Sequence, residues 1–358
     1  MDFSKAFDKV SHSRLLYKLE WYGVKGQTYS WVTDFLTGRS QQVVLEGKQS
    51  DSSNVTSGVP QGSVLGPILF LIYINDLPDC VHSQVRLFAD DTIVYRKINS
   101  PNDVDSLQED LGRLEGWEKR WQMEFHPGKC QVIRVTKSPK PLDTNYYLHG
   151  HKLEVVSSAK YLGVTISNDL KWNVHLQNVK NKANRTQGML RRNLKISSPN
   201  IKQMAYQGLV RPQLEYCSTV WDPHNKKYIQ SLEMVQRRAA RWVLGRYHNT
   251  SSVTDMLNHL QWPTLEARRR DARLCMMFKV VHNLVAIVPL QYLTPVVRRT
   301  RLSHPYSFIQ LQAKNEDYRN SFFPRTVVQW NMLPPEVVLA PSLDAFKGRL
   351  VGQVPFPA

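Results

Sequence analysis

The sequence has few of the features that mark secreted, membrane-spanning or zinc-binding proteins. Its four cysteines are scattered and none forms a CxxC pair, which argues against a zinc site and favours a reducing, intracellular compartment. The most apolar run, residues 64–74, is short and contains Gly66 and Pro67, so we expect a buried element and no membrane-spanning helix. The chain opens directly on MDFSKAFD, so we expect no signal peptide.

Acidic residues are scarce in the second half of the chain. Residues 1–170 contain 19 Lys and Arg against 20 Asp and Glu, whereas residues 171–358 contain 28 against 10. The whole formal charge of +17 therefore comes from the second half. Such a one-sided positive field attracts polyanions, so we expect a nucleic acid partner. An acidic membrane surface and a merely solvated basic surface are the alternatives.

Length and periodicity predict more than one domain. The chain has 358 residues, of which 42% are hydrophobic, as in a packed globular protein. Residues 1–170 mix both kinds of pattern, with helices predicted at 11–22, 62–77 and 104–123 and with strands at 84–88 and 92–96 around Ala89-Asp90-Asp91. This mixture predicts an α+β fold, with an antiparallel sheet and helices packed on it.

After Trp172 the pattern becomes helical and basic. We expect a basic helical domain over residues 171–260 and a helical, then irregular, region over 261–358. In the helix predicted at 227–244, Arg237, Arg238 and Arg241 share one face. A second basic block contains Arg268, Arg269, Arg270 and Arg273. These arginines suit the phosphates of a nucleic acid duplex, and a solvated helix face is the alternative.

Adjacent carboxylates lie in the predicted turn between the two strands. Asp90 and Asp91 are flanked by apolar residues, so their like charges repel each other and lose solvation. A divalent cation relieves both effects, and hard oxygen ligands suit Mg²⁺. With Asp2 as a third carboxylate, the set matches a two-ion clamp for phosphoryl transfer. An ordinary polar turn is the alternative for an isolated pair of aspartates.

The order of several segments carries more information than any one of them. FSKAFD at 3–8, PQGSVLGPILF at 60–70 and FADD at 88–91 resemble the palm motifs of reverse transcriptases, and HPGKC at 126–130 and KYLGVTI at 160–166 agree. The residues of the first two segments, at 3–8 and 60–70, are typical of the jockey-like group of non-LTR retrotransposons. The resemblance implies a right-hand polymerase palm, then a mostly helical thumb and C-terminal region. Because only Met1 precedes Asp2, we expect the fingers to be missing and the chain to be truncated at its N-terminus.

The resemblance also implies roles for matching residues. Asp2 and Asp90 correspond to the two principal catalytic aspartates, with Asp91 as partner, and all three would hold two Mg²⁺ ions, with Mn²⁺ as the alternative. Phe7 would block the 2′-hydroxyl of a ribonucleotide, or else is a core aromatic residue.

Further matches concern the substrates. Pro60, Gln61 and Gly62 would contact the incoming nucleotide and template, with glycine allowing close backbone approach; an ordinary turn is the alternative. Lys129 would protonate the leaving pyrophosphate, unless it is a solvated lysine. Leu162 and Gly163 would hold the primer end, unless they belong to a plain strand.

The resemblance implies an RNA-directed DNA polymerase that extends a DNA primer on an RNA template with deoxynucleoside triphosphates. The expected location of that activity is the nucleus, and the cytoplasm is the alternative. Because a catalytic carboxylate at a chain terminus is poorly positioned, we expect weak or no activity from this chain. The alternative function is a non-catalytic, nucleic-acid-binding remnant of a mobile element. An intron-encoded maturase shares the palm motifs, but residues after Trp172 do not suggest its splicing domain. The sequence does not predict the oligomeric state.

Overall fold

The computed structural model describes residues 1–138, 142, 144–195, 198–248, 250–297 and 304–351. The chain divides into two compact units. The first comprises Met1–Gly163 with Ser167–Asp169, and the second comprises Val164–Ile166 and the chain from Leu170 onward. In the described part of the chain, no helix combines the length and apolar character needed to cross a membrane.

The first unit is a mixture of helices and short strands around one hydrophobic core. Its helices are α1 (His12–Trp21), α2 (Gly26–Leu36), α3 (Leu65–Ile74) and α4 (Pro101–Trp121), with 3-10 turns at Leu77–Cys80 and Pro127–Lys129. The early strands are β1 (Ser40–Gln41), β2 (Val44–Leu45), β3 (Lys48–Gln49), β4 (Ser53–Asn54), β5 (Gln84–Phe88) and β6 (Asp91–Tyr95). The later strands are β7 (Gln131–Ile133), β8 (Tyr147–Leu148), β9 (His151–Lys152), β10 (Glu154–Val156), β11 (Ser158–Tyr161) and β12 (Val164–Ser167), the last of which enters the second unit.

Helix α4 illustrates how local sequence fixes an element. Ser100 and Asp103 form a capping box at its start, and Pro101 occupies the first turn, where its missing N–H costs nothing. The helix ends where Gln122 adopts a left-handed conformation with φ of 54°. Its sequence spacing predicts an apolar stripe of Leu107, Leu111, Leu114, Trp117 and Trp121. The prediction is confirmed, since the last four are buried and Leu107 packs against the same core.

Helix α3 differs from the prediction of a wholly buried element. Leu69, Phe70, Tyr73 and Ile74 are buried, but Ile68 and Leu71 are exposed and Val64 retains 85% of its accessible surface. Composition alone predicts burial all round, whereas a helix at the edge of a core buries only one side.

Most of the strand pairs in the first unit are antiparallel, with one exception. β1 pairs with β4, β2 with β3, β5 with β6 and β8 with β9 in antiparallel register. β10 pairs with β7 in parallel, with Glu154 opposite Gln131. The expectation of a purely antiparallel sheet is therefore corrected, because the chain crosses over between residues 133 and 154 before it pairs.

The second unit is helical, with one buried cluster from Val164 to Leu265 and another from Leu274 to Leu350. Tyr206–Val210 continues α6 as a π-helical turn, and Pro289–Gln291 forms a 3-10 turn. The helices are α5 (Asn173–Asn193), α6 (Pro199–Ala205), α7 (Arg211–Glu215), α8 (Ser218–Trp221), α9 (Lys226–Leu244), α10 (Val253–His259), α11 (Leu265–Val281), α12 (Glu316–Arg319), α13 (Phe322–Asn331), α14 (Pro335–Val338) and α15 (Leu343–Val351).

The end of the chain is more regular than expected. Residues 316–351 contain four helices rather than irregular structure, and Trp330 and Phe346 are fully buried between them. The many prolines of this region favour irregular structure when the sequence is considered alone. Pro324 and Pro335 instead lie in the first turns of helices, where proline is tolerated. Residues 298–303 and 352–358, which the irregular region also included, lie outside the described residues.

Candidate active site

The predicted hairpin around FADD is present, and its turn contains a residue in an uncommon conformation. Phe88 and Asp91 are register partners, so Ala89 and Asp90 form a two-residue turn. Ala89 has a φ of 49°, in the left-handed region that non-glycine residues avoid. The turn places Asp90 at the tip and Asp91 at the first position of β6.

The first four residues of the chain lie between two neighbouring segments as a strand would. The Met1 nitrogen donates to the Thr92 carbonyl (2.6 Å), and the Thr92 N–H donates back to the Met1 carbonyl (3.3 Å). On the other side, the His126 N–H donates to the Asp2 carbonyl (2.8 Å), and Phe3 forms an antiparallel bridge with Phe125. This extends the β5–β6 hairpin into a small antiparallel sheet.

The sheet brings Asp2 and Asp91 together. Met1 and Thr92 exchange both hydrogen bonds, so they form a hydrogen-bonded antiparallel pair, and the next residues, Asp2 and Asp91, are directly opposite each other. Opposite residues of this kind have Cα atoms roughly 4.5 Å apart and side chains on one face. Hydrogen bonds on both sides hold the backbone of Asp2, so this end of the chain is not frayed. The expectation of weak or no activity stays a prediction.

The electrostatics of the site agree with this geometry. Partial desolvation raises the pKa of the Asp91 carboxyl above its usual range, and the nearby charges of Asp90 and Asp2 raise that pKa further. Lys129 Nζ lies 3.5 Å from Asp2 Oδ2 and neutralises part of the negative charge. Among the described residues, no group of three or more His, Cys, Asp or Glu side chains is placed so that it could hold a metal ion.

The donor chemistry of the site nevertheless fits a divalent cation. Asp2, Asp90 and Asp91 offer hard oxygen atoms, and their mutual repulsion is the destabilisation that a cation relieves. The fit concerns the type of ligand only, since these carboxylates do not form a metal-holding group in the structure.

The turn at Pro60–Gly62 is docked against the segment that follows Asp2. The Val59 N–H donates to the Phe7 carbonyl (2.9 Å), and Gln61 Nε2 donates to Asp8 Oδ1 (2.8 Å). The Phe7 ring stacks on Phe70, with ring centroids 4.4 Å apart, and is partly buried. The structure thus brings Phe7 beside the predicted nucleotide-contact turn, and both interpretations of Phe7 remain open.

Two glycines next to the Pro60–Gly62 turn lie very close to neighbouring backbone. A β-carbon at Gly58 would lie 2.8 Å from the Asp8 carbonyl oxygen, and one at Gly66 would lie 2.3 Å from the Pro60 carbonyl oxygen. Gly62 has open space around it and is required for its φ of 83°. The contact of Gly62 with a nucleotide therefore stays a prediction.

The predicted primer-end residues form a turn between β11 and β12. Leu162 and Gly163 both have positive φ, 45° and 80°, as tight hairpin turns require. Burial raises the pKa of the adjacent Tyr161, and the charge of Asp91 contributes in the same direction. Tyr161, next to this turn, therefore lies within electrostatic reach of Asp91.

The arginines of α9 occupy the face expected for them. Ile229, Leu232, Val235, Ala239 and Trp242 are buried, whereas Arg238 is exposed and Arg237 and Arg241 are half-buried. No carboxylate within the described residues forms an ion pair with these three arginines. They are available to an external polyanion.

The second basic block is placed differently from the expectation of an open basic surface. Arg269 and Arg273 are 0% and 2% exposed and pair with Asp222, because α11 is enclosed by α8, α9, α13 and α15. Arg268 forms a two-pronged pair with Glu215, and Arg270 pairs with Asp271. Buried, paired guanidinium groups do not contact duplex phosphates, so Arg269 and Arg273 are removed from the proposed interface.

Sequence reasoning missed two carboxylates that organise these regions. Buried Glu118 accepts the Phe125 N–H, beside the Phe3–Phe125 bridge, and lies 2.7 Å from His149 Nε2. Asp222 is the shared partner of three arginines. In the sequence, Asp222 is distinguished only by the scarcity of acidic residues around it, since residues 171–358 contain 10 Asp and Glu. No feature of the sequence distinguishes Glu118.

Comparison with known proteins agrees with the site. Residues 1–166 match the family model described as reverse transcriptase (RNA-dependent DNA polymerase). These residues form a reverse transcriptase domain, which confirms the predicted family. The domain is homologous to the RNA-directed DNA polymerases of non-LTR retrotransposons.

Three relatives from Drosophila melanogaster show the extent of the similarity. The chain is 27% identical over 335 residues to the RNA-directed DNA polymerase from mobile element jockey, covering 87% of the chain and 36% of the relative. It is 28% identical over 258 residues to a probable RNA-directed DNA polymerase from transposon X-element, covering 68% and 28%. It is 29% identical over 260 residues to the corresponding protein of transposon BS, covering 67% and 28%. The chain thus spans about a third of the length of these relatives.

Proposed function

We propose that the chain contributes the palm and a thumb-like region of an RNA-directed DNA polymerase, which extends a DNA primer on an RNA template. The observation that carries the proposal is the antiparallel pairing of Met1 with Thr92, which puts Asp2 opposite Asp91 and next to the Asp90 turn. In the reaction, the primer 3′-hydroxyl attacks the α-phosphorus of a deoxynucleoside triphosphate, and pyrophosphate leaves. Carboxylates meeting at the end of a growing strand suit this chemistry.

Asp2, Asp90 and Asp91 would hold two Mg²⁺ ions, with Mn²⁺ as the substitute. Bound divalent ions lower the pKa of the attacking hydroxyl and stabilise charge on the phosphate oxygens. Lys129 now pairs with Asp2. If a metal ion neutralised the Asp2 carboxylate, the Lys129 ammonium would be attracted to it less strongly and would be available to the leaving pyrophosphate.

The remaining predicted contacts are distributed around the carboxylates. Phe7 would lie under the sugar, and the turn at Pro60, Gln61 and Gly62 would contact the nucleotide, with the open space beside Gly62 left for it. Leu162 and Gly163 would hold the primer end, which the proximity of Tyr161 to Asp91 supports. In the second unit, Arg237, Arg238 and Arg241 would bind backbone phosphates of the template and primer.

Primer extension tests the proposal directly. With an RNA template, a labelled DNA primer and Mg²⁺, we expect extension that disappears in Asp90→Ala and persists in the control Asp51→Ala, which removes an exposed carboxylate elsewhere. The same variants are then compared in a chain preceded by the upstream polymerase residues of a relative. Equal extension by wild type and Asp90→Ala, or none with the upstream residues present, contradicts the proposal.

A second candidate function is nucleic acid binding without catalysis. It is favoured by the pairing of Lys129 with Asp2, which occupies a carboxylate that a metal ion requires, and by the basic second half of the chain. Both functions predict salt-sensitive binding of an RNA–DNA hybrid. Only the polymerase predicts extension, so the assay above distinguishes them.

A further inference from the structure

The second unit buries more positive than negative charge around Asp222. Arg269 Nε lies 2.7 Å from Asp222 Oδ1, and Arg273 Nε and Arg325 Nη1 lie 3.1 and 3.3 Å from Asp222 Oδ2. One carboxylate thus faces three guanidinium groups, two of which are almost fully buried. The cluster keeps a net positive charge in an environment that screens it weakly.

The hydrogen bonding of this cluster is also incomplete. Arg269 Nη1 and Nη2 and Arg273 Nη1 are buried without a hydrogen-bond partner among the residues the structure describes. Burial and the neighbouring charge of Arg325 together lower the pKa of Arg273 to about 10, and Asp222 offsets them only in part. Additional negative charge near the cluster would therefore be stabilised.

A groove borders the cluster on the side of α13. The groove has a volume of about 740 Å³, and Arg325 and Gln329 form part of its wall. Arg273 Nη2 donates to Gln329 Oε1 at 2.9 Å, so the wall is bonded directly to the buried cluster. Arg319 and Asn320 also line the groove.

The lining has the composition of a phosphate and base site. Its described residues include two arginines and no carboxylate. Four amide side chains offer both donors and acceptors, and four residues supply apolar surface; these are Gln310, Gln312, Asn320 and Gln329, and Leu311, Ala313, Pro324 and Val328. The volume is in the range of sites that take one nucleotide-sized ligand and is too small for a duplex.

We infer that this groove binds a nucleotide unit of single-stranded nucleic acid, with the phosphate at Arg319 and Arg325 and the base against the amide and apolar side chains. Arginine presents several N–H donors in a plane that matches phosphate oxygens. Amide side chains form hydrogen bonds with base edges. The inference does not depend on the proposed catalytic activity, because the groove is built from residues of the second unit alone.

Binding of a short oligonucleotide to the full chain tests the inference. The probe is a fluorescein-labelled thymidine trinucleotide, measured by anisotropy without divalent ions, in about 0.15 M salt, where long-range attraction is screened. Arg319 is exposed and has no ion pair with the described residues, so Arg319→Glu leaves the fold intact. Arg246→Glu is the matched control, because it makes the same charge change at another exposed position of this unit.

We expect Arg319→Glu to weaken binding about tenfold or more, as loss of a charge-assisted contact does, and Arg246→Glu to change it less than twofold. Equal losses in both variants would show only a general positive field and would overturn the inference. Absence of binding, or of an effect in Arg319→Glu, would also overturn it. Inorganic triphosphate is the second arm: binding of triphosphate without binding of the trinucleotide would assign the groove to free phosphates and reject nucleic acid.

Discussion

Gly58 and Asp8 are in backbone contact across the first unit: a β-carbon at Gly58 would lie 2.8 Å from the Asp8 carbonyl oxygen and 2.9 Å from the Asp8 Cα. Gly58 also has a φ of 88° and donates its N–H to the Val10 carbonyl (2.7 Å). The contact fixes the Pro60–Gly62 turn against the segment that begins with Asp2. Two rigid backbones meet here, so neither can move aside for a side chain.

Replacement of Gly58 should therefore lower the free energy of unfolding more than replacement of Gly62, a nearby glycine with a similar φ. We expect Gly58→Ala to lower the free energy of unfolding by about 3 kcal/mol, from the conformational cost and the overlap. Gly62→Ala, with φ of 83° and open space, should lose only about 1 kcal/mol. Urea denaturation of both variants measures the difference. Equal losses would mean that the backbone contact has no energetic consequence.

Glu118 should stabilise the strand that neighbours Asp2. Its side chain is buried, accepts the Phe125 N–H and approaches His149, while Phe125 stacks on Phe3 with ring centroids 4.2 Å apart. Glu118→Ala would leave the Phe125 N–H unpaired, so we expect a loss of about 2 kcal/mol in unfolding free energy. Glu109→Ala, an exposed carboxylate on the same helix, should change stability by less than about 0.5 kcal/mol.

A second readout separates a local effect on the site from a general loss of stability. Below the denaturation range, hydrogen exchange of the Phe125 and His126 amides reports opening of the strand beside Asp2. We expect faster exchange in Glu118→Ala and wild-type exchange in Glu109→Ala. Unchanged exchange in the first variant would show that Glu118 does not position this strand.

Local signals predicted much of the first unit. The apolar spacing of α4 and the alternation around FADD are properties of neighbouring residues, so they could be read from the sequence. The capping box at Ser100 was not predicted, and α4 begins at Pro101 rather than at residue 104. The family could also be recognised from the sequence, because the short motifs and their order resemble those of reverse transcriptases. The placement of Asp2 opposite Asp91 requires pairing across about 90 residues and was only a hypothesis until the backbone bonds were known.

Partners of buried charges could not be predicted, because periodicity shows which residues are polar but not what they meet. Lys18 is a charged residue on the buried face of α1, with Nζ 2.6 Å from Asp76 Oδ1 and 3.7 Å from the centroid of the Trp121 ring. Arg269 likewise finds Asp222, 47 residues away. Both pairings depend on how helices pack, which is a property of the whole unit.

The buried cluster predicts a large effect of removing its one carboxylate. Asp222→Asn leaves Arg269, Arg273 and Arg325 without a counter-charge, so we expect a loss of about 3–5 kcal/mol in the unfolding free energy. The control Asp344→Asn removes an exposed carboxylate that pairs with Lys347 and should cost less than about 1 kcal/mol. Thermal or urea unfolding measures both. A similar, small effect in the two variants would mean that Asp222 does not compensate the arginines.

His175 should make the stability of the second unit depend on pH. The ring is buried against Trp221, with centroids 5.3 Å apart, and its Nδ1 accepts the Thr165 N–H at 3.1 Å. Burial lowers the pKa of His175, so the folded chain binds a proton less readily than the unfolded chain. Between the folded pKa and the ordinary value of about 6.5, the unfolded state carries more protons, and stability therefore rises with pH in that window.

The contribution of neutral His175 to the free energy of unfolding is fully present above about pH 6.5 and is lost as the pH falls below that value. The loss is about 1.4 kcal/mol for each pH unit by which folding lowers the pKa. His175→Gln retains an acceptor for the Thr165 N–H but does not titrate, so its unfolding free energy should fall less than that of the wild type between pH 7.5 and 5. His259→Gln, at an exposed position of α10, should follow the wild-type curve. Buried His304 also has a lowered pKa and acts in the same direction, and it is unchanged in both variants, so the difference between the curves isolates His175. Parallel curves for wild type and His175→Gln would show that protonation of this ring is not coupled to folding.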